Sequence, residues 1–185
     1  MMQIAVDYNA IRKAIANQVE RVTGLTCIYN EPEVQNEPRP PKPYVGFKFL
    51  SPGVKQGDDA ATQVPGTTTW NRGGQRKLVT DFNFYGQTHE QSYIYAVGFQ
   101  AALETEAVQA AFRASGIAVW LNGSIIDLST LLNTGFEGRC HMSVDFGIAS
   151  NITEDMGAIQ TVNLSGQTES DQGLENDIVI QVLAP

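Results

Sequence analysis

The sequence predicts an α+β fold: a mainly antiparallel sheet with two main helices packed on one face, a long β-hairpin arm and an extended C-terminal strand region. Three observations carry that prediction. Tyr8, Ile11, Ile15, Val19 and Val22 recur at three- and four-residue steps, the period of an amphipathic helix. Cys140, Met142, Val144, Phe146 and Ile148 alternate with Arg139, His141, Ser143, Asp145 and Gly147, the period of a strand covered on one side. Between two strand-like runs lies the long segment 51–76, with several glycines, Pro52, Pro65 and the bulky Trp70. A connection of that length is functional or disordered, and a projecting hairpin arm would account for it.

The elements follow in order. Asp7 is placed to cap the first helix and Gly24 to stop it, with Arg12, Lys13, Asn17, Glu20 and Arg21 on its polar side. Residues 25–29 read as a short strand. Pro32, Pro38, Pro40, Pro41 and Pro43 then impose a stiff, extended path that cannot join a sheet. Residues 44–50 and 77–85 read as strands, and in the second Leu78, Thr80, Phe82 and Phe84 share one face. Thr88 opens the longest helix, with Gln91 as its capping-box partner. Ile94, Val97, Ala101, Val108, Ala111 and Phe112 follow at helical intervals, with a break expected near residues 104–106 and a stop at Gly116. Residues 117–121 read as a strand, Asn122-Gly123 as a turn and 128–133 as one helical turn. After the alternating strand, 159–164 and 177–183 are further strands around the polar stretch SGQTESDQGLEN. The expected organisation is a body at 1–150, bearing the arm at 51–76, and a C-terminal extended β region at 151–185. Ile11, Ile15, Val19, Phe82, Phe84, Val97, Phe112, Met142, Val144 and Phe146 are the expected core.

Composition narrows the function. At 42% hydrophobic and 17% charged, the chain is neither disordered nor membrane-like. Its longest mostly apolar stretch, 93–103, is far short of a bilayer span. The opening MMQIAVDYNAIRK lacks the order of a secretory signal, so folding in a cytoplasm is expected, with Cys27 and Cys140 reduced and packed. A net charge of −8 argues against a protein that grips nucleic acid by its phosphates. Seven of the 12 basic residues lie between Arg39 and Lys77 beside only two acids, Asp58 and Asp59, so that segment is net +5. The remainder, with five basic and 18 acidic residues, is net −13. Two solvated loops of opposite sign would explain this; so would head-to-tail contact between copies.

Candidate chemistry is sparse. Cys140 and His141 are strand neighbours, so their side chains point to opposite faces and cannot form a nucleophile–base dyad. His89 lies in the first turn of a helix. Two cysteines and two histidines scattered along the chain do not show zinc-ligand spacing. The run Asn71-Arg72-Gly73-Gly74-Gln75-Arg76-Lys77 leads into a strand and lacks a phosphate-loop pattern. Asp81, Asp127 and Asp145 could be drawn together as a carboxylate site, as in any acidic chain. The acidic run 171–177 misses a calcium-loop pattern. No enzyme activity, cofactor or tightly bound metal is expected.

Several segments carry a family resemblance. The opening helix with VTGL, then PRPPKPY leading into a strand, resembles the start of bacteriophage tail-terminator and neck (tail-completion) proteins. GIAVW…IIDLSTLLNTGFEGRCHMSVDF, with EDMGAIQTVNLSG after it, is similar to that family's segment in which a short turn precedes a long core strand. The resemblance implies a non-catalytic virion protein that forms a ring, usually a hexamer, at the head-proximal end of a tail. Such a ring ends tail-tube growth and joins the tail to the head connector. Implied partners are other copies of the chain, the tail tube protein, the head–tail connector protein and, as a further candidate, the sheath protein. DNA would pass through the lumen without specific binding, assembly would take place in the host cytoplasm, and no membrane is involved. The charge partition adds an interface expectation: Trp70, Arg72, Arg76 and Lys77 on the arm meeting Asp171, Glu175 and Asp177 of a neighbour. Other readings are a head-completion or connector component, a small cytoplasmic binding module and, last, a metal-dependent nuclease.

Overall fold

A computed structural model describes residues 3–4, 6–30, 39–132, 135–155, 161–168 and 176–183. Its elements are β1 (Gln3–Ile4), α1 (Tyr8–Thr23), β2 (Cys27–Tyr29), β3 (Tyr44–Gln63), β4 (Thr69–Gly86), α2 (His89–Leu103), α3 (Glu106–Ala114), β5 (Ile117–Asn122), β6 (Ile126–Asp127), β7 (Thr130–Leu132), β8 (Gly135–Asp155), β9 (Thr161–Thr168) and β10 (Asn176–Leu183). The main sheet runs β1-β8-β4-β3-β2, and β5, β6 and β7 pair with β8. All its pairings are antiparallel except β2 with β3. The α+β class holds, with β9 and β10 forming a separate antiparallel pair.

Local chemistry explains the helices. The Asp7 carboxylate accepts from the Asn9 and Ala10 amides at 3.0 Å, and Gly24 closes α1 at φ 68°. Thr88 Oγ1 accepts from the Gln91 amide at 3.2 Å, and Gln91 Oε1 accepts from the Gln87 amide at 2.7 Å. The expected break falls between Leu103 and Glu106, so the long helix is two, α2 and α3.

The core lies between the three helices and one sheet face. Ile11, Ile15 and Val19 of α1, Phe99 and Leu103 of α2 and Phe112 of α3 pack with Phe47, Phe82, Phe84, Met142, Val144 and Phe146. Phe82 is the hub, its ring 5.8 Å from Phe47, 5.2 Å from Phe99 and 6.4 Å from Phe146. The opposite sheet face is polar yet close-packed. Tyr44 stacks on Tyr85 at 4.5 Å, and Arg139 donates to Asn83 Oδ1 at 2.8 and 3.0 Å. Buried Asp81 accepts from Ser143 and pairs with His141.

Three expectations need correction. Val97 is exposed, as are Ile94 and Ala101; α2 instead buries Ser92, Ala96, Phe99 and Leu103. Apolar side chains surround this helix, so periodicity alone does not choose a face. Contact at its start chooses it. Gly86 and Gly138 are opposed in β4 and β8, and a Cβ on Gly86 would sit 2.9 Å from the Thr88 carbonyl oxygen and 2.8 Å from the Ser92 amide nitrogen. A Cβ on Gly138 would overlap the same carbonyl. The bare backbone of this glycine pair is therefore what admits the helix start and sets its rotation.

Of the expected helical turn at 128–133, the described residues 128–132 are not helical, and Thr130–Leu132 form β7. Asp127 Oδ1 accepts from the Ser129 amide at 2.8 Å, a local bond that turns the chain between β6 and β7. Finally, β3 does not stop near residue 50, and β4 begins eight residues before Lys77, at Thr69. The segment between the expected strands is the two strands themselves.

Candidate functional site

The expected arm is a strand ribbon. Its tip is the turn Val64-Pro65-Gly66-Thr67, where the Thr67 amide donates to the Val64 carbonyl at 3.1 Å and Gly66 takes φ 73°. Proline then glycine at the two central positions is the chemistry of a type II turn, a signal present in the sequence. Outer β4 pairs with β3 on one side and with β8 on the other, as far as Thr69 opposite Asp155. The arm therefore has three strands along most of its length, and β8 runs unbroken through Ser150, where the body was expected to end. From Gly53 to Lys77 no described side chain is buried.

Charge organises this ribbon. Arg76 donates to both oxygens of Asp59, at 2.7 and 3.0 Å. The bidentate pair crosses Gly74, where a Cβ would collide with the Asp59 carboxylate. Hydrogen bonding to Arg76 is the first cause holding the Asp59 carboxyl below its ordinary range, with Lys55 at 3.9 Å adding to it. Arg72 lies 3.5 Å from Glu154, and Lys77 donates to Asp145 at 3.1 Å. Of the expected interface residues, Trp70, Arg72, Arg76 and Lys77 thus share β4, and all three bases have acids of their own chain as neighbours. Asp177 lies in β10 opposite Gln167. Asp171 and Glu175 lie outside the described residues.

The catalytic candidates separate. Cys140 is buried on the helix face, whereas His141 meets Asp81 on the other. Asp81, Asp145 and Asp127 have different partners: His141, Lys77 and His89. Burial pushes the thiol pKa of Cys27 and of Cys140 upward, away from reactive thiolate.

One cluster was invisible to spacing. His89, Asp127 and Cys140 come from α2, β6 and β8, and their ligand atoms all lie within 4.8 Å of one another. The register partnership of Asp127 with Cys140 could not be inferred without knowing that β6 pairs with β8.

Exposed apolar side chains form the remaining feature. Tyr93, Ile94 and Val97 crop out on α2, and Trp120 and Leu121 on β5. The Trp120 indole covers Gly147, where a Cβ would overlap the ring. Among the described residues, no helix is long and apolar enough to cross a membrane.

Comparison with known proteins supplies what geometry alone does not. The chain matches a family model described as phage neck terminator protein over residues 9–172. No curated protein matches it.

Proposed function

The chain belongs to the phage neck terminator family, a structural component of the phage tail and neck, and from that premise we propose that copies of it form a ring at the head-proximal end of a phage tail. The ring, a hexamer in this reading, ends tail-tube growth and offers its other side to the head connector. Tail tube and connector proteins are then its partners, with the sheath protein a further candidate, and DNA passes through the lumen unbound. No step of this role needs catalysis.

The observation that carries the reading, beside the family match, is the arm. A ribbon without buried side chains, turned by Pro65-Gly66 and braced by Arg76–Asp59, gains little for an isolated body and much for one that must reach a neighbour. Trp70 supplies contact area there. A net charge of −8 suits a ring through which DNA slides, since a basic lumen would retain it.

The test shortens the arm. Gln56 and Gln75 are opposed in β3 and β4, so residues 57–74 can be replaced by an Asn-Gly turn without disturbing the inner strands. The shortened protein keeps its unfolding transition but no longer caps tail tubes in electron micrographs. If it caps them as the full chain does, the arm is dispensable; if the full chain forms no ring with or without tubes, the ring assignment fails.

A further inference from the structure

We propose that His89, Asp127 and Cys140 form a zinc-type metal site that clamps the start of α2 and the β6 segment onto β8. The proposal is independent of the ring assignment and rests on placement alone.

The fold builds this site. Asp127 and Cys140 are register partners on adjacent antiparallel strands, which puts both side chains on one face of the sheet. The facing glycines Gly86 and Gly138 let the Thr88 carbonyl settle against the strands, and that contact delivers His89, the first residue of α2, above them. The three ligand atoms lie within 4.8 Å of one another, with His89 Nδ1 already 3.1 Å from Asp127 Oδ2. Bond lengths to zinc imply ligand atoms about 3.3–3.6 Å apart around a tetrahedral ion. A site closed on the ion requires the two rim residues, His89 and Asp127, to rotate inward.

Each ligand also has a group that orients it, as metal sites require. The Ser129 amide donates to Asp127 Oδ1 at 2.8 Å and leaves Oδ2 toward His89. Tyr93 stacks on the His89 ring at 6.0 Å between centroids. Ser92 Oγ lies 3.4 Å from Cys140 Sγ at the floor of the site. Imidazole, carboxylate and thiolate together suit zinc, or cobalt in its place, over calcium or magnesium, which take oxygen. His89 and Asp127 are about half exposed, at 49% and 48%, so the ion has a route in and a solvent-facing fourth position for water. On binding, the Cys140 thiol gives its proton to solvent and the sulfur coordinates as thiolate.

Cobalt(II) titration of the untagged full-length protein tests this, because a cysteine ligand gives a thiolate-to-metal charge-transfer band. The expected result is a band that saturates at one equivalent, persists in Cys27→Ser and disappears in Cys140→Ser. His89→Gln, at an exposed position where folding is not at stake, and Asp127→Asn weaken cobalt binding by more than about 100-fold, since losing even an outer-shell partner costs about 10–100-fold. A wild-type protein that never develops the band overturns the site. So does a band kept by Cys140→Ser, or undiminished in His89→Gln.

Discussion

β4 has two halves that obey different physics. From Leu78 to Gly86 every residue except Val79 is buried; from Thr69 to Lys77 none is. The partners are the same throughout, and the β4–β8 register runs without a shift from Thr69 opposite Asp155 to Gly86 opposite Gly138. What differs is the helical cover. The inner half carries Leu78, Phe82 and Phe84 under α1, α2 and α3, while the outer half carries Arg72, Gly74 and Arg76 in a ribbon tied by charge. The β3 edge reflects the change: all three of its register shifts fall beyond Phe49. Bulges and Pro52 on a free edge blunt its capacity to pair with stray strands. Continuous hydrogen bonding thus holds the strands together in both halves, but only the inner half is anchored by apolar burial.

The comparison can be broken most forcefully in the inner half. Phe146 is fully buried, 5.3 Å from Phe112 and 6.4 Å from Phe82 between ring centroids. Phe146→Ala should therefore cost about 3–5 kcal/mol in denaturant unfolding. A loss under about 1 kcal/mol would remove Phe146 from the centre of the core.

Gly138→Ala comes next. The added methyl meets the Thr88 backbone, which can move only by lifting the start of α2, so a loss of about 1–3 kcal/mol is expected. Circular dichroism with denaturant measures it; an unchanged midpoint would mean that the helix is not seated by this glycine.

Surface positions on α2 sharpen the contrast. Ile94→Ser and Val97→Ser should each change stability by no more than about 0.5 kcal/mol, because both side chains already face solvent. A core-sized loss at Val97 would restore the helix face that periodicity suggested.

The smallest effect on global unfolding is expected in the arm. Asp59 titrates below the ordinary carboxylate range because Arg76 hydrogen-bonds its charged form. A depressed folded pKa means that the pair stabilises the arm above the unfolded Asp pKa, about 3.9, and that this contribution fades as pH falls through the lowered value. Carboxyl NMR should show that low midpoint in the wild type and a return to the ordinary range in Arg76→Ala, with the unfolding midpoint of the body unmoved. An Asp59 midpoint unaffected by the substitution would show that the bridge does not hold in solution.

How much of this was legible follows from how local each signal is. α1 and β8 could be read because their periods separate apolar from polar residues cleanly: Ile11, Ile15 and Val19 on one side, Cys140 to Ile148 in strict alternation. The break between α2 and α3 and the cap at Thr88 were equally local. The hairpin arm could be expected from the length of the segment between two strands, but its own strands gave little signal, since glycines and Pro52 depress strand signals that pairing on both sides of β4 overrides. The turn after Asp127 reads as helix in the sequence because Asp and Ser favour both helix starts and Asx turns, and the choice between them depends on the β6–β8 and β7–β8 pairings.

By itself the sequence determined the class of fold, the helical and alternating faces of α1 and β8, the reach of the arm, the charge partition and the family. Those properties reside in residue order and composition, which act over a few positions. Tertiary structure alone decided which side of α2 is buried, that outer β4 neutralises its bases against its own chain, and that His89, Asp127 and Cys140 meet. Each of these depends on partners distant in sequence, fixed by strand register and by the Gly86–Gly138 contact, where apolar burial and steric fit outweigh local preference.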